Sequence, residues 1–170
     1  KLTKDNISLN IGPKIFSVSC AKEYIGWEQF ALIVKEGFNI VLETGIVKNL
    51  TRLGMRYINF FEANIFDNTI VQISKNGESF PSIEKLLKVK VPYDQGCSTL
   101  LITNNAQIID KETKEPKTGS IIDIDVVFEK GLEMFQGNMH DILEETHKEE
   151  KKRFFDLLKP EYLTTLNPEY

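Results

Sequence analysis

Hydrophobic and polar residues alternate most clearly in the stretch SIIDIDVVFEK, residues 120–130. Because the side chains of a β-strand point alternately to its two faces, this stretch predicts a strand with one apolar and one acidic face. The apolar face carries Ile122, Ile124, Val126 and Phe128, and the acidic face carries Asp123, Asp125 and Glu129. The surroundings of the acidic face decide whether it is a binding site or a solvated surface.

The same alternation predicts further short strands separated by turn-forming residues. They lie at 7–11 and 16–20 around Gly12-Pro13, at 50–62, at 86–93, and at 98–103 and 106–110 around Asn104-Asn105. We predict a tight turn at Asn104-Asn105, because asparagine favours turns. Residues 63–84 show no clear pattern, and their layout stays open.

Apolar positions three and four residues apart predict two principal helices, at about 27–44 and 138–158. Gly45 follows the first helix, where a C-cap glycine is expected. Gly37 lies inside that helix at a cost in helix propensity, which predicts close packing of the helix on a sheet. Asn138 is the predicted N-cap of the second helix.

The order of these elements, several short strands with only two long helices, predicts an α+β fold. We expect a single twisted, mainly antiparallel sheet with both principal helices packed on one face. The length of 170 residues predicts one domain, residues 1–170. Because the chain enters a strand almost at once and has no initiator Met, we expect it to be the C-terminal, larger part of a longer protein.

Composition and charge exclude several classes of function. The net charge of −4 argues against a general nucleic-acid binder, which needs clustered basic residues. No apolar run approaches the roughly 18 residues of a membrane span, so no membrane association is expected. Cys20 and Cys97 are predicted to be unpaired thiols in a reducing cytoplasm. There is no glycine-rich phosphate loop or GxSxG motif, so we expect no cofactor.

Several short motifs occur in order along the chain. They are Tyr24 and Trp27 ahead of the first helix, GMRYIN at 54–59, IIDID at 121–125, and His147 seven residues before Phe154. Together they resemble a sporadically distributed family of uncharacterised bacterial and archaeal proteins. The resemblance covers most of the chain and implies one α+β fold with a longer N-terminal part. It implies no activity, cofactor or catalytic residue, and its distribution suits an accessory system such as phage defence or toxin control.

Asp123 and Asp125 are expected to lie about 7 Å apart on one strand face. If strand 50–62 is a neighbour, Arg52 and Arg56 on its polar face form an Asp–Arg ladder with them. The alternative is a metal-dependent hydrolase in which both aspartates and Glu129 hold a divalent cation. We favour the ladder, because pairing satisfies each carboxylate.

The two histidines do not form a joint metal site. His140 and His147 are seven residues apart, which is about 10 Å along a helix and too far for one metal ion. His147 falls on the apolar stripe of the second helix, which predicts packing at the helix–sheet boundary. A general base formed with Asp125 would require the helix to cross the acidic face. The charged residues of EETHKEEKKR, 144–153, are predicted to be a solvated helix face.

These patterns favour a non-enzymatic binding or regulatory module that acts through protein–protein contacts or self-association. The candidate binding residues are Arg52, Arg56, Asp123, Asp125 and His147, and no catalytic or metal-ligating residue is predicted. The apolar-rich segment 154–170 is a further candidate contact surface. A carrier of small apolar ligands is a third alternative, since Thr146 and His147 interrupt the stripe that faces the sheet.

Overall fold

The computed structural model describes residues 1–20, 23–79, 84–110 and 113–166. The chain divides into two compact units. The first unit comprises Lys1–Leu50 with Glu133–Leu143, and the second comprises Thr51–Leu132 with Glu144–Tyr170. The organisation of residues 1–170 as a single domain stays a prediction. Within the described ranges, no helix has both the length and the apolar character needed to cross a membrane.

The first unit contains a three-stranded antiparallel sheet and a helix. The elements are β1 (Leu2–Lys4), β2 (Ile7–Gly12), β3 (Ile15–Cys20) and α1 (Trp27–Glu43), with β2 at the centre of the sheet. A Cβ added at Gly37 of α1 would lie 3.1 Å from Phe16 Cζ and 3.2 Å from Leu9 Cδ1. The predicted close packing of the helix at this glycine is therefore confirmed. Gly45 has a φ of 67° just after α1, as a C-cap glycine should.

The second unit is built on a four-stranded antiparallel sheet. Its strands are β4 (Leu53–Phe61), β7 (Leu86–Tyr93), β8 (Gly96–Ile109) and β9 (Pro116–Phe128), in the order β4-β9-β8-β7. Two-residue strands β5 (Ser74–Lys75) and β6 (Glu78–Ser79) form a separate pair, and Ile65–Asn68 is a 3₁₀ turn. These last elements occupy the region that the sequence left open.

The second principal helix, α2, spans Phe135–Leu157, and a short helix α3 follows at Pro160–Leu166. Asn138 lies within this span at a kink where two helical segments meet, and its φ of −123° and ψ of 21° are not helical. Asn138 therefore precedes the second segment, as the predicted N-cap does, but α2 itself begins earlier, at Phe135. Asparagine hydrogen-bonds readily to the nearby backbone both at caps and where a helix is interrupted. An asparagine in the sequence therefore indicates that the helix starts or is interrupted nearby, but it does not distinguish a cap from a kink.

The α+β class with antiparallel pairing is confirmed, but the described strands form three sheets and not the single sheet that we predicted. The helices also do not share one face of one sheet. Helix α1 packs on the sheet of β1–β3 through Gly37, whereas His147 of α2 contacts Tyr57 of β4. Alternation shows which residues share a face of a strand, but it does not show which strands pair.

The expected tight turn at Asn104-Asn105 is also wrong. The two predicted strands are one long strand, β8, whose pairing with β9 shifts register between Thr103 and Ala106. Asn105 has a φ of 61°, a conformation that asparagine tolerates in turns and in bulges alike. The dipeptide therefore marks a bulge within a continuous strand.

Candidate functional site

The candidate site lies on one face of the four-stranded sheet, here named the outer face, which carries Asp123 and Asp125. The opposite, inner face carries Ile122, Ile124 and Val126, all fully buried. The predicted division of strand 120–130 into an apolar and an acidic face is therefore confirmed. Two rows of residues cross the outer face, one of Arg56, Asp125, Thr99 and Lys90 and the other of Ile58, Asp123, Leu101 and Lys88.

Arg56 and Asp123 form a two-pronged ion pair on this face. Arg56 Nε donates to Asp123 Oδ1 at 2.8 Å, and Arg56 Nη2 donates to Oδ2 at 2.5 Å. The hydrogen bonds to Asp123 raise the pKa of the Arg56 guanidinium above its ordinary value. A fork of this kind fixes the positions of both side chains as well as pairing their charges.

Asp125 is paired with the second arginine. Although Arg56 lies directly opposite Asp125 in the register, its side chain reaches diagonally to Asp123. Arg52 Nη2 instead donates to Asp125 Oδ2 at 3.4 Å. The Arg52 guanidinium lies over Gly54, where an added Cβ would be 3.2 Å from Arg52 Nη1. The predicted Asp–Arg ladder is confirmed, and Gly54 leaves the space that its second pair occupies.

The ladder borders an open depression of ≈ 240 Å³, which is lined by Arg56, Lys88, Thr99, Leu101, Asp123 and Asp125. Both carboxylates already accept hydrogen bonds from a guanidinium, so a divalent cation would have to displace an arginine. Glu129, the expected third ligand of the hydrolase alternative, is exposed just beyond the end of β9. In the part of the chain that the structure describes, no three His, Cys, Asp or Glu side chains are grouped to hold a metal ion.

His147 lies on the inner side of the sheet. Its ring centroid is 6.1 Å from that of Tyr57, which is opposite Ile124 in the register. Burial lowers the pKa of His147 to about 4, and the nearby Lys151 cation contributes in the same direction, so the ring is neutral at pH 7. The geometry therefore separates His147 from Asp125 by the thickness of the sheet. His140 belongs to the first unit, where its Nδ1 lies 2.6 Å from Lys35 Nζ.

Sequence reasoning missed a buried acid on the same helix. Glu150 is only 4% exposed, and burial raises the pKa of its carboxyl group to about 7. The prediction of a solvated face for the charged residues of 144–153 is wrong at this position, whereas Thr146, which the sequence placed on the stripe that faces the sheet, is fully buried. The signal was the spacing, since Glu150 follows the buried Leu143 by seven residues. The charge of Glu150 suggested a solvated position, whereas its spacing places it on the apolar stripe of α2.

Lys88 and Lys90 were also missed as members of the outer face. Their alternation with Leu87, Val89 and Val91 predicted a strand at 86–93. It did not predict that β8 would place this strand in the same sheet as the aspartates. Both lysine side chains are exposed.

Comparisons with protein-family models, with curated proteins and with solved structures find no match to this chain. The resemblance to a sporadic bacterial and archaeal family therefore stays a prediction.

Proposed function

We propose that the chain is a non-enzymatic binding or regulatory module, and that a protein partner binds the outer face of the four-stranded sheet. The candidate binding residues on this face are Arg52, Arg56, Asp123 and Asp125. His147 lies on the inner side and would affect binding only through the packing of α2 on the sheet.

The observation that carries the proposal is an apolar patch beside the ladder. Ile58 and Leu86 on the outer face are 58% and 63% exposed. Phe60 is half-buried beside Ile58 on β4, and the half-buried side chains of Leu101 and Ile121 lie between Ile58 and Leu86 in the rows that cross the sheet. An exposed apolar patch with arginines at its border has the composition of a protein-binding surface.

The charged groups of the outer face are better suited to binding a protein partner than to catalysis. A general base or nucleophile needs an available lone pair near a reacting atom. Asp123 and Asp125 instead hold two guanidinium groups in place, and the neutral His147 ring is on the other side of the sheet. Fixed, paired charges of this kind contribute specificity in a protein interface.

The proposal also includes the cellular location of the protein and the system in which it acts. Cys20 and Cys97 are free thiols, which fits a reducing cytoplasm. The family resemblance adds an accessory bacterial system, such as phage defence or toxin control, as the context in which the partner would be found.

Photo-crosslinking tests this proposal. A photoreactive amino acid replaces Ile58 on the outer face or, in the control, Ile70, which is similarly exposed at 61%. We expect a crosslinked protein from the Ile58 position only. The identified partner is then purified, and its binding is measured by calorimetry. Ile58→Arg and Leu86→Arg should each weaken binding about tenfold or more, because they place a charge in the apolar contact.

The control variant Ile70→Arg should leave the affinity unchanged. Equal weakening by Ile70→Arg, or a partner that still binds both outer-face variants at full affinity, would place the interface elsewhere. A chain that stays monomeric in size-exclusion chromatography and yields no crosslink at Ile58 would contradict the proposed function itself.

A further inference from the structure

Strand β7 forms one edge of the four-stranded sheet, and β8 is its only hydrogen-bonded neighbour among the described strands. Three consecutive residues at its centre, Lys88, Val89 and Lys90, are exposed. An edge strand of this kind presents a row of main-chain groups to which another strand can pair. The edge is therefore a potential acceptor for a strand from another chain.

The main-chain hydrogen bonds of the sheet determine which residues of β7 face this edge. Just before β8, the Gln95 carbonyl accepts the N–H of Glu129, so the odd-numbered positions on that strand bond to β9. Because main-chain groups alternate between the two neighbouring strands, the even-numbered positions of β8 bond to β7. Val89 lies opposite Leu100 in the register. The odd-numbered residues of β7 are consequently the ones that bond to β8.

The even-numbered residues of β7 direct their N–H and C=O groups to the open edge. Lys88 and Lys90 are at the centre of this set. Pro92 belongs to it as well, which agrees with the rule that proline, having no N–H, is placed on the unpaired side of an edge strand.

The charges along this edge select the partner. Lys88 and Lys90 lie on the outer face, and neither forms an ion pair with a described carboxylate. A second copy of β7 pairing antiparallel about Val89 would place Lys88 opposite Lys90, and like charges directly opposite each other are unfavourable. A strand with carboxylates at those two positions would instead be attracted to the edge. The lysines thus disfavour self-pairing and favour an acidic partner.

The opposite edge of the sheet does not offer the same charge. Strand β4 carries Arg56, but its guanidinium is already held by Asp123. Val89, in contrast, is 37% exposed, and its side chain lies on the inner face, where an apolar side chain from an added strand would cover it. Only β7 combines uncompensated cations on one face with an uncovered apolar residue on the other, among the described strands of this sheet.

We propose that β7 accepts a β-strand from an acidic partner protein, with carboxylates of that strand opposite Lys88 and Lys90 and an apolar side chain opposite Val89. This inference rests on the proposed function, because it defines how the partner engages the sheet. Main-chain hydrogen bonds supply the pairing, and the alternation of acidic and apolar side chains supplies the specificity.

The test uses the full chain and short capped peptides in which valine alternates with either glutamate or lysine. Binding is measured by NMR titration, and amide hydrogen exchange is measured at saturation. We expect the glutamate peptide to bind and to slow exchange about tenfold or more at the Lys88 and Lys90 amides, which it newly protects. The Val89 amide, already bonded to β8, should change little. A glutamate peptide with N-methylated backbone amides should bind at least about tenfold more weakly.

The charge-reversed variant Lys88→Glu/Lys90→Glu should no longer bind the glutamate peptide and should bind the lysine peptide instead. The matched control Lys114→Glu/Lys130→Glu changes two exposed lysines elsewhere and should behave as wild type. Equal binding of the two peptides, or binding without protection at Lys88 and Lys90, would overturn the proposal, as would no binding of the glutamate peptide. None of these failures would affect a partner that crosslinks at Ile58, so the proposed function is judged separately.

Discussion

The two ion pairs of the outer face differ in strength for reasons that are visible at single atoms. Arg56 contacts Asp123 through two nitrogens, and the Asp123 side chain is only 12% exposed. Arg52 reaches Asp125 through one nitrogen at 3.4 Å, and more of Asp125 is exposed to water. Solvent screens the second pair more strongly than the first.

A double-mutant cycle should measure this difference. For Arg56→Ala and Asp123→Ala, we expect a coupling free energy of about 1 kcal/mol in urea unfolding, since the pair is bidentate and partly shielded. For Arg52→Ala and Asp125→Ala, we expect less than about 0.5 kcal/mol. Equal couplings, or the reverse order, would show that the fork between Arg56 and Asp123 does not persist in solution.

Two groups on α2, the buried Glu150 and the half-buried His147, affect stability in opposite directions as the pH changes. The folded state raises the pKa of Glu150 from 4.5 to about 7, so the stability that its protonated form contributes is lost as the pH rises through this range. It lowers the pKa of His147 from 6.5 to about 4, so the stability that its neutral form contributes is lost as the pH falls. Between about pH 4.5 and 6.5 the two slopes largely cancel.

Replacing Glu150 with glutamine should leave the pH dependence of the unfolding free energy that His147 contributes. Relative to wild type, Glu150→Gln should gain about 2–3 kcal/mol of unfolding free energy between pH 4.5 and pH 8, because the amide has no charge to bury. Urea unfolding at a series of pH values measures this gain. Glu145→Gln, an exposed position on the same helix, is the control and should show no such trend. A difference that stays constant with pH would mean that Glu150 is ionised in the folded state without penalty.

At the scale of elements, local patterns predicted most of the regular structure. Alternation located β4, β7 and β9, and steps of three and four located α1 and α2. The failures fall where one residue type serves two geometries. Asn138 fits a cap or a kink, and Asn105 fits a turn or a bulge. Only the neighbouring strand or the rest of the helix decides between them.

The contact of α1 with its sheet at Gly37 gives an element-scale prediction. Gly37→Val should destabilise the protein by about 1–3 kcal/mol, because its side chain would overlap Phe16 and Leu9. Asn39→Val, at an exposed position on the same helix, should change stability by less than about 0.5 kcal/mol. Thermal and urea unfolding compare the two variants. Equal effects would indicate that α1 does not pack closely on β2 and β3 at this glycine.

At the scale of the whole molecule, sequence reasoning correctly predicted the α+β class and the Asp–Arg ladder, but not the division of the strands among sheets. The ladder was predictable because Arg52, Arg56, Asp123 and Asp125 lie on strands whose polar faces are evident locally. The edge lysines and buried Glu150 were not, since their surroundings depend on long-range pairing and on how α2 packs. Long-range pairing is the information that a one-dimensional pattern does not contain.

We infer that the carboxylates of Asp123 and Asp125 hold guanidinium groups and do not bind a metal ion. Thermal unfolding with excess Mg²⁺, Mn²⁺ or Ca²⁺ tests it most directly, with Asp123→Asn/Asp125→Asn as the control. We predict no rise in Tm for wild type beyond that of the double variant. A cation present at 100 times its Kd would add about 2.7 kcal/mol, or roughly 5–10 °C for a chain of this size. A rise of that order in wild type alone would contradict the claim.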